Sequence, residues 1–132
     1  IICLGNSGGG TATFYAACME ERIKTAIPSC CFASYDDSIA AIYHCSCNFI
    51  PNIRTYFDMG DLGGLIAPRT LLLVSGKDDV IFPIESAKKC FAVVASLYAN
   101  TEGICRHIIG PEGHRFYYDL AWSTYDKIFT KK

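Results

Sequence analysis

The chain has 132 residues, 51% of them hydrophobic, with 12 basic and 13 acidic side chains and a formal net charge of −1. That is the length of one domain, with material for a core, and the scattered Lys and Arg form no basic stripe that would hold a nucleic acid. No apolar run reaches the ~18 residues that span a bilayer, so a membrane is not an expected partner either.

Residues 1–5 read as an apolar strand that runs into Gly5-Asn6-Ser7-Gly8-Gly9, a Gly-x-Ser-x-Gly pattern, and then a helix over 8–20. A tight strand–turn–helix connection holds such a serine with its hydroxyl clear of the sheet. Gly5, Gly8 and Gly9 are the small residues expected to let strand and helix approach. The serine is a weak nucleophile alone and calls for a base and an acid elsewhere. Residues 24–30 form a second strand, followed by a long variable segment over 31–67. Within it Asp36 to Tyr43 reads as a short helix capped at Asp36 or Asp37, and Gly60-Asp61-Leu62-Gly63-Gly64 leads to the next strand. Tyr35, Tyr43, Phe49, Tyr56 and Phe57 either wall a pocket or pack against their own loop. His44, Cys45 and Cys47 are soft ligands without a matching second pair, so no metal is expected there.

A third strand, 70–75, ends in a loop carrying Asp78 and Asp79. Pro83 and Glu85 suit the first turn of the helix that follows, over 83–99. A fourth strand, 105–109, leads to Gly113-His114 and a last helix, 116–129, with Lys131 and Lys132 suited to a helix C-terminus or a frayed tail. His44 and His107 read as structural histidines. The eight cysteines lack the spacing of a disulfide frame, and most pack as small apolar residues in strands or helices. A reducing, cytoplasmic setting is expected.

Alternating strands and helices predict an α/β fold, a mainly parallel sheet of about four strands with helices on both faces. Ser7, then Asp78 or Asp79, then His114 each follow the C-terminal end of a strand, where open α/β sheets build their sites. The order Ser, Asp, His is that of the α/β-hydrolases. On Gly5-Asn6-Ser7-Gly8-Gly9, Leu65-Ile66-Ala67-Pro68-Arg69, Gly76-Lys77-Asp78-Asp79 with Pro83, and Gly113-His114, nearly the whole chain resembles the C-terminal half of an α/β-hydrolase, close to the dienelactone hydrolase and acetyl xylan esterase branch.

The resemblance implies half of a three-layer sandwich: one partial domain over 1–132, with a pocket-shaping insertion at about 31–67. It implies Ser7 as nucleophile, His114 as base and Asp79 as acid, since the family's acid precedes a proline by four positions. It also implies Gly8 as one oxyanion-hole donor. The second donor belongs to a loop that precedes the nucleophile in the family and has no counterpart here, so a fragment of a longer polypeptide is expected. The implied activity is serine-type hydrolysis of small acyl esters, acetyl esters of sugars being one candidate, with no cofactor. The alternative is a catalytically incomplete fold fragment or a self-associating module. In the family the first strand lies mid-sheet, so a free edge on residues 1–5 predicts a homodimer joined edge to edge.

Overall fold

A computed structural model describes residues 1–130; Lys131 and Lys132, assigned above to a helix C-terminus or a frayed tail, lie outside the described residues. Four strands, β1 (Ile2–Asn6), β2 (Thr25–Ser29), β3 (Thr70–Gly76) and β4 (Cys105–Gly110), form one sheet in the order β1-β2-β3-β4. Every neighbouring pair is parallel. β2 and β3 occupy the middle and every one of their residues is buried, which is why both read as continuous apolar runs. β1 and β4 are the outer strands of the sheet: no residue of β1 is fully buried, and β4 buries only Ile108 and Gly110. The β2–β3 pairing skips Ile27 and Pro28, as expected where a proline has no N–H to give to the ladder.

Each strand returns through helical structure: α1 (Gly8–Met19), α2 (Ile53–Tyr56), α3 (Met59–Gly63), α4 (Ile84–Tyr98) and α5 (Tyr118–Phe129). Side chains of a strand alternate between faces, and the helices divide accordingly. Leu71 and Leu73 pack in one layer with Phe14 and Ala17 of α1, Met59 of α3, and Cys90 and Val94 of α4. Leu72 and Val74 point the other way, joining Ile27 and Ile108 under Ala121 of α5 and the preceding Tyr117. Among the described residues no helix is long and apolar enough to cross a membrane.

The variable segment departs from expectation. Asp36 to Ala41 forms consecutive turns and Ile42 a bend, not a helix. Its backbone bonds are local but uneven in span: Ser38 N–H donates to the Ser34 carbonyl, Ala40 N–H to that of Tyr35, and the N–H groups of Ala41 and Ile42 both to that of Ser38. The flanking Tyr35 N–H is taken by the Asp58 carboxylate at 2.9 Å, and the Ser38 hydroxyl donates to the Ile81 carbonyl at 2.6 Å. Gly60 to Gly63 is helical, because Asp58 and Asp61 close a reciprocal cap at the start of α3.

Candidate active site

The site begins where β1 ends. Ser7 has φ 55° and ψ −121°, a left-handed backbone that costs a non-glycine residue about 1–3 kcal/mol and persists only where its surroundings enforce it. Ser29, fully buried at the end of β2, supplies that enforcement. Its carbonyl accepts the Ser7 N–H at 2.8 Å, and its hydroxyl donates to Asn6 Oδ1 at 2.9 Å.

Of the three glycines expected to let strand and helix approach, only Gly5 makes a tight contact, and Gly10 makes the other. A Cβ on Gly5 would stand 2.2 Å from the Gly9 carbonyl oxygen, and one on Gly10 would stand 2.4 Å from the Ser29 oxygen. Gly8 and Gly9 would meet nothing within 4 Å. Strand–helix approach therefore depends on Gly5 and Gly10, and Gly8 and Gly9 are not the residues that permit it. Gly8 is the first residue of α1, where backbone N–H groups lack intrahelical acceptors.

The loops after β3 and β4 meet backbone to backbone. Lys77 N–H donates to the Gly110 carbonyl at 2.9 Å, and Asp78 N–H to the Glu112 carbonyl at 3.0 Å. Only a glycine fits at position 76, where a Cβ would stand 2.1 Å from the Gly113 oxygen. This contact delivers Asp79 to His114: Asp79 Oδ2 and His114 Nδ1 are 2.8 Å apart. Asp79 Oδ1 accepts the N–H groups of Ile81 and Phe82 at 2.9 and 3.1 Å, which fixes the carboxylate from behind. Asp79 is buried, whereas Asp78 is exposed.

His114 is held by residues that the sequence did not single out. Tyr117 Oη donates to the Gly113 carbonyl at 2.8 Å and accepts the Glu112 N–H at 3.1 Å. The Cys30 thiol donates to the Arg115 carbonyl at 3.2 Å. Phe82 stacks on the His114 ring with centroids 6.1 Å apart, and His44 meets the Phe82 ring edge-on at 5.6 Å. Ser38 Oγ lies 3.3 Å from His44 Nε2, and burial pushes the His44 pKa down. Phe82 could have been suspected from its place between Asp79 and Pro83, Tyr117 left no local signal, and His44, read as a structural histidine, packs on Phe82 beside Ser38.

Among the described residues no hydrogen bond joins Ser7 Oγ to His114. Ser7 lines a cavity of about 190 Å³ together with Gly8, His44, Cys45, Asn48 and Phe82; His114 is not part of that wall and lies behind Phe82, which stacks on its ring. The aromatic residues of the variable segment divide: Tyr43 also lines this cavity, Tyr35 and Phe49 line a larger apolar cleft of about 380 Å³, and Tyr56 and Phe57 flank a shallow polar groove. His107 lies elsewhere, in β4, with Nε2 2.9 Å from Ser75 Oγ.

One group of three ligating side chains occurs among the described residues: Cys30, Asp79 and His114, with donor atoms within 4.8 Å of one another. Two of the three are already bonded to each other, and the Cys30 thiol, its pKa raised by burial, is engaged by Arg115.

No family model matches the chain. Over 100 residues it is 26% identical to "Putative hydrolase YtaP" of Bacillus subtilis (strain 168), covering 74% of this chain and 33% of that protein. Among solved structures it superposes on a carbohydrate esterase family 15 glucuronoyl esterase from Caldicellulosiruptor kristjansonii with TM-score 0.70, at 21% identity, over 89% of this chain and 39% of that one. A "Putative Dienelactone Hydrolase" from Klebsiella pneumoniae subsp. pneumoniae MGH 78578 gives TM-score 0.56 at 16% identity, over 98% of this chain and 51% of that one. The chain thus spans about a third of its curated relative and roughly two fifths to one half of these two structures. Four parallel strands in consecutive order, packed with helices, superpose on these structures: the chain has the α/β-hydrolase fold.

Proposed function

We propose that this chain carries the catalytic triad of a serine-type carboxylic ester hydrolase. The observation that carries the reading is the 2.8 Å bond between Asp79 and His114 at the strand ends, with Phe82 stacked on the His114 ring and lining the same cavity as Ser7. Ser7 Oγ attacks the ester carbonyl while His114 Nε2 takes its proton. Asp79 holds the other ring nitrogen and stabilises the imidazolium. The Gly8 N–H donates to the oxyanion. His114 then protonates the departing alcohol, and water releases the acyl group from Ser7 by the same steps.

The small cavity favours short acyl groups, and likeness to a glucuronoyl esterase supports esters borne on carbohydrate as the substrate class, sugar acetates among them. The free edge of β1, with Ile2 and Leu4 42% and 46% exposed, supports pairing with a second copy of the chain.

The test is p-nitrophenyl acetate hydrolysis and fluorophosphonate labelling of the polypeptide that carries this chain. Ser7→Ala is expected to abolish labelling and to lower turnover by about 10⁴–10⁶. Undiminished turnover in Ser7→Ala would refute the mechanism.

A further inference from the structure

Two of the eight cysteines stand apart. Cys3, Cys18, Cys30, Cys31, Cys90 and Cys105 are buried or half-buried, and burial pushes the thiols of Cys18 and Cys90 up to about 12. Cys45 and Cys47 are exposed, and their Sγ atoms lie 3.1 Å apart. A single 3-10 turn, Ser46–Asn48, brings them together. Asn48 N–H donates to the Cys45 carbonyl at 3.0 Å, and Phe49 N–H to that of Ser46 at 3.1 Å. The Asn48 side-chain amide, itself mostly buried, donates to Cys45 Sγ at 3.1 Å and stands 3.8 Å from Cys47 Sγ. His44 takes no part, since its ring faces Ser38 and Phe82.

We propose that Cys45 and Cys47 form a redox-active dithiol, closed to a disulfide by exchange with a small-molecule disulfide. The sulfur atoms need only move from 3.1 Å to about 2.0 Å. Cys45 attacks first: the Asn48 amide points at its Sγ, while the hydrogen bond with Cys45 raises the pKa of Cys47 and leaves it the resolving thiol. The Cys45 thiolate attacks one sulfur of the small disulfide, forming a mixed disulfide and expelling one small thiol. The Cys47 thiolate then attacks Cys45 Sγ and expels the second. Two electrons and two protons leave the protein with the two small thiols. Exposed disulfides of this kind lie at the labile end of the range, so the closed form reopens with a reductant.

Closure acts on the cavity that Ser7 lines, because Cys45 and Asn48 are both part of its wall. Asn48 also walls the larger apolar cleft beside Phe49 and Ile53. The effect on turnover rests on the ester-hydrolase reading; the disulfide does not.

The full polypeptide is equilibrated with oxidised glutathione, quenched in acid, unfolded, alkylated and digested. The peptide holding Cys45 and Cys47 is expected to lose two hydrogens and take no alkyl group, while those holding Cys31 and Cys90 are alkylated. Cys47→Ser is expected to arrest the reaction with glutathione on Cys45. Full alkylation at both positions, or stable double glutathionylation in the wild type, overturns the proposal. Active-site-titrated ester hydrolysis is expected to show a several-fold change in KM on oxidation, reversed by dithiothreitol. Equal KM in both forms overturns the coupling to the cavity. Loss of all hydrolysis in both forms counts against the ester-hydrolase reading alone, because the mass measurement is independent of it.

Discussion

An alanine series through the serine turn isolates the contacts that hold it. In Gly5→Ala the new methyl would lie 2.2 Å from one backbone atom and 2.4 Å from the next, both in Gly9. Neither can rotate away, so strand and helix must part by about 1 Å, at the upper end of the ~1–3 kcal/mol that overpacking costs. In Gly10→Ala the methyl meets the Ser29 oxygen at 2.4 Å and Cys31 Sγ at 3.0 Å. A similar cost is offset by the ~1 kcal/mol that alanine gains over glycine inside a helix, leaving about 1–2 kcal/mol. Gly9→Ala meets nothing and should stabilise by about 0.5–1 kcal/mol. Urea unfolding reads all three as midpoint shifts at constant slope. Gly10→Ala should also lose turnover beyond its loss of stability, because the displaced Ser29 carbonyl is the acceptor that tethers Ser7. The reasoning fails if Gly9→Ala is as damaging as Gly10→Ala, or if Gly5→Ala unfolds at the wild-type midpoint.

Asp79→Asn should lower kcat by about 10⁴ through the wrong His114 tautomer, whereas Asp78→Asn should stay within a few-fold; the reverse pattern in steady-state kinetics would move the acid by one position. Burial, with a smaller contribution from Lys88, holds the His107 pKa down to about 4. Between the ordinary value near 6.5 and about 4 the unfolded chain therefore binds more protons, and stability falls as pH drops through that window. At ~1.36 kcal/mol per unit the loss totals about 3 kcal/mol. His107→Gln should remove this component from unfolding free energies measured at pH 7 and pH 4, and an unchanged pH slope would refute it. If β1 pairs with a second copy, Ile2→Lys should convert a sedimenting dimer to monomer; a dimer that survives rejects the edge contact.

Strands and long helices were legible because a parallel sheet covered on both faces needs continuous apolar runs, and Thr70–Gly76 is one. The acid–histidine loops were legible because each follows such a run directly. The turns at Asp36 to Ala41 were not, because their backbone bonds are local but uneven in span, and the groups that tie them down at Tyr35 and Ser38, Asp58 and Ile81, lie far along the chain. The glycine pattern named the turn but misplaced its tight contacts, since Gly10 is required by Ser29 on the neighbouring strand. Nor could spacing show that Cys45 and Cys47 face each other while His44 turns to Phe82, an outcome set by the 3-10 turn at Ser46–Asn48.

Among the described residues α5 alone covers the second face of the sheet, which has a consequence for synthesis. α1, α3 and α4 reach the first face as the strands themselves emerge, but Ile27, Leu72 and Val74 wait for Tyr117 and Ala121. About 40 residues separate the end of β3 from the start of α5. At ~5–20 residues per second the ribosome needs about 2–8 s to deliver them. For that interval Ile27, Leu72 and Val74 lack Tyr117 and Ala121, the described residues that cover them in the finished fold, so this face of the sheet closes last.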